Sequence, residues 1–152
     1  MKISDYLSEE LCLMELKAKN KKDVIKEIAE ELDKHGAVVD RSKFVKDVLE
    51  REELGSTGIG DGVAIPHART ESVSGFLIGF GRSKNGVEFK ALDGEPVSLF
   101  FLMGAHPDEL NLYLRLLAEL SKLLMNNAFR TELKNAKTSK DIVEIVKRFE
   151  AK

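Results

Sequence analysis

The sequence predicts an α+β domain in which a sheet is covered by helices. Amphipathic helical patterns occupy both ends of the chain, and apolar strand-like runs fill its middle. No repeat, linker or low-complexity stretch divides it. At 152 residues the chain is about one domain long by the usual prior of roughly 100–200 residues. A single domain over residues 1–152 is therefore expected.

Asn20 is placed to cap a helix over Lys21–Lys34, with Asp23 completing an approximate capping box. Val24, Ile25, Ile28 and Leu32 fall on one face, and Gly36 ends the run. Asp40 caps a second helix reaching about Glu53, with Phe44, Val45, Val48 and Leu49 as its apolar stripe. Leu11–Leu16 reads as a first strand. Gly55–Gly62 (GSTGIGDG) holds four glycines in eight residues and reads as a loop of exposed backbone. Val63–Ile65 is a short strand ending at Pro66-His67. Phe76–Phe80 and Val97–Met103 read as buried strands, with a hairpin near Lys84–Gly86 and a turn at Asp93-Gly94. Pro107, Asp108 and Glu109 suit a first helical turn. Leu110, Tyr113, Leu114, Leu117, Leu120 and Leu124 then form one broad apolar face, widened by Leu112, Leu116 and Leu123. Ala128–Ala136 is a short helix. Thr138 or Ser139 caps the last one, which carries Ile142, Ile145, Val146 and Phe149.

Composition removes several function classes. The chain is 43% hydrophobic, so it can build a core. Its 24 basic and 26 acidic side chains give a net charge of −2, which argues against nucleic-acid or membrane-surface binding. The strongest apolar run, Val97–Ala105, is too short to span a bilayer, and MKISDYLSEE lacks a signal-peptide layout. Cys12 is the only cysteine, so no internal disulfide forms. A soluble cytoplasmic domain without membrane insertion is expected.

His67 is the candidate for chemistry. It follows an apolar strand and a stiffening proline, beside the glycine-rich segment, where an exposed nucleophile would sit. His35 precedes Gly36 at a helix end, where a cation suits the dipole, and His106 precedes Pro107 in a loop. No histidine pair has helical ligand spacing and Cys12 has no CxxC partner, so no metal or cofactor is expected. The glycine segment ends Asp61-Gly62-Val63, not Gly-Lys-Ser/Thr, and Ile65 breaks a GxGxxG pattern. It reads either as an anion-binding concavity involving Thr57 and Gly58 or as an ordinary tight connection. Arg51, among glutamates, reads either as a solvated ion-pair partner or as the guanidinium nearest that segment.

REELGSTGIGDGVAIPHART (Arg51–Thr70) closely resembles the active-site segment of the type-2 enzyme IIA domains of the bacterial phosphoenolpyruvate-dependent sugar phosphotransferase system. ALDGEPVSLFFLMGA (Ala91–Ala105) and YLRLLAELSKLL (Tyr113–Leu124) resemble the strand region and long helix that follow there. The resemblance implies a three-layer α/β/α fold around a mixed sheet. It also implies a phosphohistidine relay in which phosphate from the phosphocarrier HPr, or a paralogue, is taken on Nε2 of His67. From there it passes to a IIB domain or governs a regulatory target. Arg51 matches the family's active-site arginine. Where many members carry a second histidine, this chain has Tyr113, and His106 lies seven residues earlier as a spatial alternative.

Within the family, LGSTGIG is more like the nitrogen-regulatory branch, whereas PHART and the ALDGEP-to-LFFL region are more like the fructose branch. A free-standing chain inclines the reading towards regulation, with a fructose-type transport subunit as the alternative. A domain that kept the fold and lost transfer is disfavoured by the joint presence of His67 and Arg51.

Overall fold

The computed structural model describes residues 1–152. Its elements, in chain order, are β1 (Cys12–Leu13), α1 (Lys21–Lys34), α2 (Arg41–Glu53), β2 (Gly58–Gly60), β3 (Val63–Ala64), β4 (His67–Arg69), β5 (Phe76–Val87), β6 (Val97–Ala105), α3 (Leu110–Leu124), α4 (Asn127–Asn135) and α5 (Ser139–Glu150). The sheet runs β1-β5-β6-β3-β2, and β4 also pairs with β6. It is mixed: β5 and β6 are antiparallel, as are β2 and β3, while β1–β5, β3–β6 and β4–β6 are parallel.

Strand alternation explains why helices cover both faces. Along β5 and β6, Ile78, Phe80, Leu99, Phe101 and Met103 join one core with residues of α3, α4 and α5. Leu77, Phe100 and Leu102 turn to the other face and join α1 and α2. A three-layer α/β/α fold around a mixed sheet follows, as expected. Gly104 marks how closely α2 approaches: a Cβ there would stand 2.8 Å from Phe44 Cε1 and 3.0 Å from Leu77 Cδ1.

The helix starts match their capping residues. Asn20, Asp40 and Thr138 each accept a hydrogen bond from the backbone N–H three residues on, at 2.9, 3.1 and 3.1 Å. Four expectations need correction. The strand expected over Leu11–Leu16 is confined to Cys12–Leu13, flanked by a 3₁₀ turn and an irregular run. Gly55–Gly62 is not all loop, because Gly58–Gly60 pairs with β3. No hairpin forms at Lys84–Gly86: the chain stays extended to Val87 through a register shift, and Gly86 packs against Pro96. The link to β6 is Glu88–Pro96, with its turn at Asp93-Gly94. Finally, the buried face of α3 is Tyr113, Leu116, Leu120 and Leu124, whereas Leu110 and Leu114 are 37% and 52% exposed. Pro107–Glu109 forms a separate 3₁₀ turn before that helix.

Gly104→Ala should destabilise the domain by about 1–3 kcal/mol, the usual cost of overpacking a filled core. The measurement is urea unfolding. A midpoint equal to wild type would mean that α2 rides further from the sheet than the 2.8 Å approach implies.

Candidate functional site

β3 and β4 lie end to end along β6, pairing with Leu99–Phe100 and Met103–Ala105. Between them, Pro66 has no N–H to offer, but its carbonyl accepts from Met103 N at 3.0 Å. This break lets the His67 ring fold back. Its Nδ1 stands 2.8 Å from the Ile65 carbonyl. A carbonyl can only accept, so Nδ1 carries the proton and Nε2 of the neutral ring keeps its lone pair. His67 is half-buried in the wall of an open cleft of about 910 Å³, with Arg51, Leu54, Arg69, Pro107 and Tyr113 among its lining.

Burial pushes the His67 imidazole below its ordinary 6.5. The Ile65 carbonyl and Glu52 pull it upward, and the Arg51 guanidinium adds to the fall. The side chain is thus favoured as the neutral imidazole near pH 7.

Arg51 lies in the last turn of α2, and its Nη1 donates to the Gly55 carbonyl at 2.9 Å, which orients the guanidinium at the cleft and leaves further donors. Tyr113 projects from α3, and its ring centroid lies 5.8 Å from that of His67. Burial raises its phenol above the ordinary 10, against the opposing fields of Arg51 and Arg69. His106 does not line the cleft. It caps the 3₁₀ turn, its Nδ1 accepting from Asp108 N at 3.2 Å. Of the two residues weighed against the family's second histidine, the structure brings Tyr113 to His67.

Thr57 and Gly58, expected at the phosphate, are not among the residues lining the cleft. Thr57 is buried, its N–H donating to Glu52 Oε1 at 3.2 Å and its hydroxyl to Glu52 Oε2. Gly58 donates to Ser56 Oγ at 3.0 Å and lies so close to Ala91 that a Cβ would meet its Cα at 2.9 Å. Asp61 N is occupied by Asp93 Oδ2 at 3.0 Å. With these donors bound inside the protein, Thr57, Gly58 and Asp61 brace the segment and are not free to meet an anion.

Three further side chains contribute that no sequence pattern marks. Glu52 is buried and paired with Lys21 Nζ at 2.9 Å. Thr70 donates to Asp47 Oδ2 at 2.5 Å, which ties the end of β4 to α2. Arg69 stands two residues after His67. Recognising β4 would have placed it, since residues two apart in a strand share a face.

The sequence profile of the family "Phosphoenolpyruvate-dependent sugar phosphotransferase system, EIIA 2" matches residues 5–149. The chain belongs to this family. Enzyme IIA domains are phosphotransfer components of that system, and a transferase role follows at that level. This IIA domain is 41% identical over 146 residues to the fructose-specific EIIABC component of Bacillus subtilis, a match covering 96% of this chain and 23% of that protein. It thus spans less than a quarter of that relative's length. A nitrogen regulatory protein of Bradyrhizobium diazoefficiens is 31% identical over 150 residues, covering 96% and 95% of the two chains. Among solved structures, nitrogen regulatory protein IIA-Ntr from Neisseria meningitidis superposes with a TM-score of 0.89 at 28% identity, covering 95% of this chain and 98% of that one. No helix is long and apolar enough to cross a membrane.

The depressed His67 pKa has a definite sign. The unfolded chain binds a proton at the ordinary 6.5, and the fold resists it. The stability this contributes is full above 6.5 and is lost as pH falls through the lower folded value. An NMR titration should place the His67 midpoint below 6.5, with Arg51→Ala moving it upward. A midpoint at or above 6.5 in the wild type would contradict the buried, neutral ring.

Proposed function

We propose that this IIA domain is a phosphoryl carrier that takes phosphate from HPr, or a paralogue of it, on His67. The observation that carries the reading is the Nδ1–Ile65 hydrogen bond of 2.8 Å, which leaves Nε2 as the ring's only nucleophilic nitrogen. In the transfer, the Nε2 lone pair forms a bond to the donor's phosphorus. The donor's phosphorus–nitrogen bond breaks and its electron pair returns to the donor imidazole. The proton stays on Nδ1, still donated to the Ile65 carbonyl, so the phosphorylated ring is cationic and keeps a high transfer potential. The chain's own contribution is position and charge. Arg51 offers its free N–H groups to the phosphoryl oxygens, and Tyr113 walls the ring with a neutral side chain.

Exposed apolar side chains beside the site support docking of a protein rather than of a small molecule. Leu54, on the cleft's lip, is 85% exposed, and Leu110 and Leu114 bracket Tyr113 on α3. For the onward step, the 41% identity to a fructose-specific component, against 31% to a nitrogen regulatory protein, supports a IIB domain of a fructose-type transporter as acceptor. Regulation of a target protein is the second reading. It is supported by the 31% identity to the nitrogen regulatory protein of Bradyrhizobium and by the TM-score of 0.89 with IIA-Ntr of Neisseria.

Incubation with phosphoenolpyruvate, enzyme I and HPr should add one acid-labile phosphate, read by intact mass. His67→Ala should take up none. Arg51→Ala should fold and accept phosphate on the order of 10²-fold more slowly, the usual loss of a donor to developing charge. Phosphate on the His67→Ala protein would remove the assignment. Addition of a fructose-type IIB domain should then discharge the wild-type chain, and a phosphate that stays in place would favour the regulatory reading.

A further inference from the structure

Arg69 has no part in the carrier reading so far, yet it stands where an anion-binding group would. His67 and Arg69 are register partners of Met103 and Ala105 on β6, which belong with Tyr113 to the α3–α5 side of the sheet. Ala68, between them, turns to the α1–α2 side. Arg69 therefore shares a face with His67 and lines the same cleft, and its charge is felt at the Tyr113 phenol together with that of Arg51.

The other arginines are engaged within the protein. Arg41, Arg115, Arg130 and Arg148 pair with carboxylates. Arg82 donates to the carbonyls of Met14, Leu133, Lys134 and Ala136, and Arg51 donates to that of Gly55. Arg69 is exposed and contacts neither a carboxylate nor a carbonyl, so its whole fork is available. Of the acids lining the cleft, Asp47 is held by Lys43 at 2.9 Å and by Thr70, Glu50 faces Lys46 at 3.9 Å, and Glu53 and Glu71 form no ion pair with Arg69.

The backbone adds a second feature. Pro66 O accepts from Met103 N, and Thr70 N donates to Ala105 O. In a parallel ladder backbone groups alternate sides, so those of Pro66, Ala68 and Thr70 face β6. The N–H groups of His67 and Arg69 turn to the outer edge, where β4 has no further strand.

We propose that Arg69 is the second phosphoryl-binding cation of the site, gripping the group on His67 from the α3 side while Arg51 approaches from α2. The proposal rests on the carrier reading above. A phosphoryl group brings nearly two negative charges and three equatorial oxygens, and one guanidinium already bonded to Gly55 answers only part of that. A second, free fork balances the charge and supplies two further aligned donors.

The test compares wild type, Arg69→Gln and Arg69→Lys after phosphorylation by phosphoenolpyruvate, enzyme I and HPr. The readouts are kcat/KM for the transfer, the ³¹P chemical shift of the isolated phosphoprotein, and its hydrolysis half-life. Arg69→Gln should fold, lose about tenfold in kcat/KM, show a shifted ³¹P resonance and alter the half-life several-fold. Arg69→Lys should recover part of each change. If Arg69→Gln slows transfer but leaves the resonance and half-life at wild-type values, Arg69 meets only the partner protein and the proposal is overturned. It is equally overturned if all three readouts are unchanged. A wild-type chain that takes no phosphate would instead remove the carrier reading, and this one with it.

Discussion

The hydrogen bond from His67 Nδ1 to the Ile65 carbonyl constrains the rest of the site. It spans one proline. Ile65 N is fixed on the Thr57 carbonyl at 3.1 Å and Pro66 O on Met103 N at 3.0 Å, so the acceptor is held from both sides before the ring reaches it. That acceptor sets the tautomer, and the tautomer decides which nitrogen is nucleophilic. Every other group of the site has meaning only relative to that nitrogen.

Two ties then fix the distance between α2 and the strand that carries His67. Asp47 and Arg51 lie one turn apart on the helix, so the bond from Thr70 to Asp47 holds the face bearing Arg51 against β4. One residue beyond Arg51, Glu52 takes the Thr57 N–H and hydroxyl and the Lys21 ammonium. Lys21 in turn lies 4.4 Å from the centroid of the Phe89 ring. Glu52 is a buried carboxylate that is fully partnered, as burial of a charge requires. Arg51 is thus carried by a helix end anchored on both sides, which suits its proposed role of meeting a phosphoryl oxygen without rearranging.

The helices were legible because their signals are local. Asn20 and Asp40 cap where the sequence places them, Thr138 is the cap of the two candidates for α5, and apolar spacing picks out the buried faces of α1, α2 and α5. The glycine-rich stretch was misread because glycine permits a loop and a close approach equally. Gly58 is there for Ala91, which lies 33 residues further along the chain and leaves no trace in the local pattern. β4 was missed because a three-residue strand after a proline is too short to show a period. His67, Arg51 and Tyr113 were legible through a resemblance carried by a long motif. The burial of Thr57 is not legible, because its hydroxyl has a buried partner five residues back and nothing in the sequence marks Glu52 as buried. Arg69 stayed out of sight because its face depends on β4.

On the carrier reading, the fold acts through Ile65 to select Nε2 of His67 as the atom that receives phosphate. This selection is tested most directly by phosphorylating the chain with ¹⁵N labels on the histidine ring and reading which nitrogen couples to phosphorus. Coupling should appear at Nε2, with Nδ1 still protonated and protected from exchange by the Ile65 carbonyl. Coupling to Nδ1 would contradict the selection, since that nitrogen could bond to phosphorus only after the 2.8 Å hydrogen bond had been broken.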